Sequence, residues 1–326
     1  MPILDERHDF AHPVEPDTAW SESYYFNAYD PVTDTGLFTR IGVRPNEGTM
    51  DVGLSVWLPG TDLATVHGVR PQPEMTDSDL AAAGVRYERL RPMAEWRITC
   101  DAEAAVRDLA GRRPTRTAHV ALDLVFRALT PAVGSDGQGV AGAGPSAATR
   151  ASVGKGHLEQ AGRWRGWIEA DGVNYTLGEA RGNRDKSWGP RRWGGPAMWR
   201  WFSINVGDGV HFGGIRIGTE AGDLHRGWVW RDGELAIDHR VLGLHARDHR
   251  EVGAREPHRE ADIHAALVRA DAETGEEPGV GRRVVGVEVV GLAPGRVALD
   301  GVGEVVALVE DGHVRSLEPI RAPVQT

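Results

Sequence analysis

Apolar and polar residues alternate along most of this chain, the two-residue period of half-buried strands. The clearest run is Ala118–Phe126, where Val120, Leu122, Leu124 and Phe126 share one face and His119 and Asp123 take the other. Similar runs cover 23–29, 37–44, 51–58, 85–90 and 95–100, then 163–170 and 174–180 around Asp171-Gly172, a dipeptide suited to a tight hairpin. Strands resume over 199–206 and 210–217 around Gly207-Asp208-Gly209, then over 224–230 and 234–241 around Asp232-Gly233. Runs at 282–290, 304–309 and 313–319 complete the pattern. Helical signals are confined to 76–84, with an N-cap, an early acid and a glycine stop, and to 101–109.

The pattern predicts an all-β protein with few short helices. Eight strands precede residue 185 and seven follow it. The expected division is therefore 1–185 and 186–326, each half a meander able to close into an antiparallel barrel without exposed edges. The Gly/Ala/Ser/Pro-rich stretch 131–149 competes as a linker by composition, and is read here as a long loop within the first half.

Composition changes the picture little. At 326 residues and 40% hydrophobic the chain is globular and long enough for two domains. A net charge of −10 without a basic arm argues against nucleic acid and against anionic membrane surfaces. The N-terminus is charged from Asp5 onward and no run is long enough to span a bilayer, so the chain reads as soluble and cytoplasmic. A lone Cys100 excludes an internal disulfide and a thiolate metal cluster.

Chemistry concentrates at 181–193, Arg-Gly-Asn-Arg-Asp-Lys-Ser-Trp-Gly-Pro-Arg-Arg-Trp, inside a zone holding eight of the eleven tryptophans, Trp164 to Trp230. Asp185 is the candidate proton-transfer group: indoles around it would raise its pKa, and Arg184 or Lys186 would lower it. Arg184 would set charge and position. Lys186 is one of only two lysines, with Lys155, and a lysine in an apolar pocket attacks carbonyls as a free amine. Trp188 and Trp193 would line the site. Strand alternation puts Trp199 and Trp201 on one face and Trp228 with Trp230 on another, an aromatic wall or ordinary sheet packing. His211, Tyr25 and Asn27 are further candidate ligand contacts. The histidine spacings contain no paired metal motif, no glycine-rich segment sits between a strand and a long helix, and no Gly-x-Ser-x-Gly elbow occurs. No metal and no cofactor are expected.

Four segments carry a resemblance: Trp20-Ser-Glu22-Ser-Tyr24-Tyr25-Phe26, Arg40-Ile-Gly-Val-Arg44-Pro45-Asn46, His157-Leu-Glu159-Gln160, and Arg184-Asp185-Lys186-Ser187-Trp188-Gly189-Pro190-Arg191. Together they resemble the AttH-like and carotenoid hydratase-like branch of the lipocalin-like (calycin) proteins. The resemblance implies two lipocalin-like barrels, a hydrophobic ligand and, in some relatives, cofactor-free hydration or cyclisation by acid catalysis. Asp185 with Trp188 matches the aspartate and tryptophan used in that chemistry, while Lys186 stands where the group usually has histidine. The expected activity is acid–base hydration, cyclisation or isomerisation of a terpenoid, polyketide or steroid-like molecule, the alternative being a non-catalytic carrier of such a ligand. A hydrophobic small molecule is the expected partner, and a homodimer stays open.

Overall fold

The computed structural model describes residues 2–59, 62–108, 114, 116–137, 154–191, 198–219, 222–231, 233–237, 284–292, 306–310 and 313–315. Side chains are described for these except at 108, 198–200, 202, 216–219, 222–226 and 237 and in the last three segments. The first sheet contains β1 (Trp20–Asp30), β2 (Thr35–Arg44), β3 (Thr49–Trp57), β4 (Asp62–Pro71), β5 (Leu80–Ala82), β6 (Val85–Arg91), β7 (Glu95–Asp108), β8 (Arg116–Ala128), β9 (Val133–Ser135), β10 (Gly156–Ala170), β11 (Val173–Leu177) and β12 (Arg181–Pro190). Every pairing is antiparallel. Following them in order, β1-β2-β3-β4-β7-β8-β10-β12 and back to β1, closes a ring of eight strands.

The ring has a filled interior, as an eight-stranded barrel allows. Inward residues of β1, β2 and β3, such as Tyr24, Phe26, Leu37, Ile41, Val52 and Leu54, meet Trp96, Phe126 and Trp164. Phe26, Phe126 and Trp164 contact one another edge-on at 5.3–5.8 Å between ring centroids, the geometry that ring quadrupoles favour.

The second sheet joins β13 (Met198–Val206), β14 (Val210–Thr219), β15 (Gly222–Arg231), β16 (Glu234–Ile237), β17 (Val284–Leu292), β18 (Val306–Glu310) and β19 (His313–Arg315) in the order β16-β15-β14-β13-β17-β18-β19. The described residues are thus almost wholly β, in one antiparallel sheet that closes into a ring and a second antiparallel sheet. β12 belongs along its whole length to the first sheet, so the division expected at 185/186 falls inside a strand.

The helices expected at 76–84 and 101–109 are not formed. Ala83 and Gly84 take φ of 49° and 83° and make a two-residue hairpin between β5 and β6, the backbone that such turns require. Asp101–Val106 extends β7 in register with β8; its alternation of exposed Asp101 and Glu103 with buried Ala104 and Val106 is a strand signal that outweighed helix propensity. Among the described residues no helix is long and apolar enough to cross a membrane.

One end of the barrel is stoppered by the N-terminal segment. Asp9 is buried and accepts from Arg184 Nη1 at 2.6 Å and from the Met93 amide at 2.6 Å. Lys186 Nζ lies 2.5 Å from Glu22 and donates to the carbonyls of His8 at 2.9 Å and Phe10 at 2.7 Å. His12 stacks on Trp188 with centroids 3.9 Å apart and bonds Glu22 through Nδ1. Burial works against the Glu22 carboxylate, but the Lys186 charge and His12 overcome it and hold Glu22 below its ordinary pKa. Gly156 is required here, because a Cβ would sit 2.0 Å from the Trp188 ring.

Removing one member of a buried pair strands the other in low dielectric. Lys186→Met should therefore destabilise the protein by about 3–5 kcal/mol in urea unfolding. A loss below about 1 kcal/mol would show that the clamp does not hold the stopper.

Candidate functional site: a His–Asp pair between the sheets

Strand alternation sorts the 184–188 cluster onto two faces. Arg184, Lys186 and Trp188 point into the barrel end just described, where ion pairs, hydrogen bonds and ring stacking engage them. Asp185 and Ser187 point outward, towards the second sheet. The three residues expected to act together are thereby separated, and Trp188 is on the opposite side of β12 from Asp185.

The outward face can be read from the register. Asp185 lies between Tyr25 of β1 and Glu159 of β10, and Ser187 lies between Ser23 and His157. His157 and Glu159, two residues apart, share this face. His157 Nε2 is 2.6 Å from Asp185 Oδ2, and its Nδ1 lies 3.7 Å from Glu159 Oε1. Glu159 is buried, whereas the side chains of His157 and Asp185 are 28% and 21% exposed.

The second sheet supplies the cover. Trp201 on β13 and Trp228 on β15 face the barrel, and their indole N–H groups converge on Glu159. Trp201 Nε1 donates to Oε1 at 2.8 Å and Trp228 Nε1 to Oε2 at 2.7 Å. Gly213, beside Trp228 in the register, leaves the space this needs, since a Cβ there would lie 2.4 Å from the indole nitrogen. Trp201 packs with Tyr25, Phe38, Trp57, Leu63 and Ile215, and Trp228 with Val133, Ala161, Trp230 and Leu235. Two apolar clusters therefore flank one carboxylate.

Electrostatics follow from the crowding. Burial raises the Glu159 pKa, and Asp185 across the strand adds to this against the opposing pull of His157 and the two indoles. Burial alone would push the His157 imidazolium down; the Asp185 charge and hydrogen bond, with Glu159 behind them, reverse this and hold it up at about 9. At neutral pH the centre is a protonated imidazole between two carboxyl groups. His157, Glu159 and Asp185 also each bring a ligand atom within 4.8 Å of the others, a spacing able to hold a metal ion. A cation there would first have to displace the imidazole proton.

The other expected site residues take varied places. Tyr25 meets Trp201 edge-on at 5.8 Å. Asn27 is buried and accepts from the Asn183 amide at 2.9 Å. His211 is buried within its hairpin, bonded to Asn205 Oδ1 at 2.7 Å and to the Asp208 carbonyl at 3.1 Å. Trp199 lies on β13 with its side chain outside the described residues, as is all of Trp193. His157 and Glu159 stand outside the expected site residues, although their segment carries part of the resemblance. A His-x-Glu alternation was the available signal. Two surface depressions of about 650 and 460 Å³ lie away from this centre and share Arg165, Gly166 and Trp167.

An eight-stranded barrel with a second sheet docked through a buried acid defines the class: a lipocalin-like two-unit β protein. The chain belongs to the DUF7064 family, described as a domain of unknown function, whose profile matches residues 5–313. No protein of curated function matches the sequence. The fold is similar to the crystal structure of an AttH candidate from Nitrosomonas europaea, with 14% identity over 96% of this chain and 94% of that one and a TM-score of 0.54. It is also similar to CghA, at 13% identity over 90% and 84% of the two chains with a TM-score of 0.46. Kievitone hydratase from Nectria haematococca aligns at 11% identity over 72% and 68%, with a TM-score of 0.46.

A folded-state pKa near 9, above the ordinary 6.5, means that protonated His157 stabilises the fold fully below pH 6.5 and that this contribution is lost as pH rises through 9. Nuclear magnetic resonance titration should place the His157 midpoint near 9, and Asp185→Asn should lower it by at least about one unit. A midpoint near 6.5 in both proteins would contradict the arrangement.

Proposed function

We propose that the protein is an enzyme of acid–base chemistry acting on a hydrophobic carbonyl compound between the two sheets, with His157 as proton donor. The carrying observation is the 2.6 Å bond between Asp185 and a partly exposed imidazole, and the carboxylate's charge raises the ring's pKa. Asp185 fixes the ring orientation and restores its proton affinity after transfer, the role of the carboxylate in other His–Asp pairs. Asp185, the proton-transfer candidate of the sequence, is in this reading the group that positions the acid.

The strength of the acid narrows the chemistry. An acid with a pKa near 9 protonates an enolate carbon or a developing alkoxide, because such groups are of comparable or greater basicity. An isolated alkene is far too weak a base for it. Isomerisation of an enone, hydration of a double bond conjugated to a carbonyl, and a cyclisation closing through an enolate all fit. Trp201 and Trp228 border the centre with apolar surface, and Glu159 fixes both rings in place. A carrier function inside the first barrel fits less well, since that interior is filled by its own side chains.

Proton transfer to carbon leaves an isotopic record in heavy water whichever of these reactions runs. A panel of terpenoid, polyketide-like and steroidal enones incubated with the protein in D₂O should gain deuterium, and His157→Gln should lower the rate by about 100-fold or more. Incorporation that is unchanged in the variant, or absent across the panel with the native chain, counts against the proposal.

A further inference from the structure

Beside the His–Asp pair lies a ledge of two serines, each accepting a hydrogen bond from an arginine. Arg40 Nε donates to Ser23 Oγ at 2.8 Å, and Arg191 Nη1 approaches Ser187 Oγ at 3.4 Å. Ser23 and Ser187 are directly opposed in the β1–β12 register, and Ser187 is directly opposed to His157 in the β12–β10 register. Arg191 therefore reaches the ledge one strand away from the imidazole, and Arg40 two strands away. The Arg40 guanidinium lies over Gly42, where a Cβ would come within 2.2 Å of it. It also forms an ion pair with Asp51, which takes Arg44 Nε at 3.3 Å as well.

A serine that accepts from an arginine keeps its own O–H for donation. The ledge thus offers two hydroxyl donors backed by cations, beside the imidazole that Asp185 holds. From this placement we infer that the substrate carries a carboxylate, held by Arg40 and Arg191 on the Ser23–Ser187 ledge, with its apolar body directed towards Trp201. The inference rests on the proposed site and adds a substrate class to it: hydrophobic carbonyl acids. Arginine suits the task because its planar fork matches a carboxylate. Burial, together with the charges of Arg40 and Arg44 and against that of Asp185, lowers Arg191 to about 10; an incoming anion relieves that crowding.

The test separates this inference from the catalytic one by reading binding alone. 2-Naphthoate and 2-naphthamide, alike in shape and different in charge, are titrated into the native chain by calorimetry at pH 7 and low salt. The acid should bind about ten-fold more tightly than the amide. Arg191→Gln should bring the two within about two-fold, and Arg40→Gln, as a second variant, should reduce the preference in the same direction. Equal binding of acid and amide by the native chain, failure of both to bind, or a preference that survives both substitutions overturns the inference. A protein that prefers the acid but transfers no deuterium keeps the ledge and loses the enzyme; one that transfers deuterium while binding both alike does the reverse.

Discussion

One buried carboxylate sets the relation between the two sheets. Glu159 has almost no access to water, so its two oxygens need donors, and both described donors are indole N–H groups from the other sheet. An acid placed on the outside of a barrel would ordinarily be solvated. Here it forces Trp201 and Trp228 to approach from one side at fixed positions, and the apolar clusters around each ring complete the seal. Gly213 is part of the same constraint, because only a residue without a side chain leaves room for Trp228 to reach across β14.

The properties of His157 follow from that constraint. Covering Glu159 removes water from beside the imidazole, which by itself would make the ring neutral. The Asp185 carboxylate, set opposite Glu159 by the register, reverses the outcome. A proton is thereby held on a group that still touches solvent. The same arrangement makes the imidazolium a weaker acid than a free one, and the proposed carbonyl chemistry rests on that.

The barrel wall also divides labour between its faces. β12 presents Arg184 and Lys186 inward, where they clamp the N-terminal segment through Asp9, Glu22 and two backbone carbonyls, and Asp185 outward, where it meets His157. A chain with only two lysines uses one of them as a structural clamp. Rarity marked Lys186 as special; in the structure Glu22 and the carbonyls of His8 and Phe10 tether its Nζ, while burial lowers its pKa.

The sequence by itself determined the all-β fold, most strands and several turns, since a two-residue period and Asp-Gly dipeptides are local properties of the chain. Asp171 and Gly172 take φ of 53° and 76° in the turn their identity implied. It also drew attention to the stretch that contains Asp185 and to the face shared by Trp228 and Trp230. Only the tertiary structure decided which neighbours count. Glu159 looks like any strand acid until two indoles from 42 and 69 residues away close on it, and in place of the short helices read at 76–84 and 101–109 stand β5 with its turn and the end of β7. The reason is physical: alternation fixes which way a side chain points, but its pKa, its partners and its exposure depend on what another sheet brings to meet it.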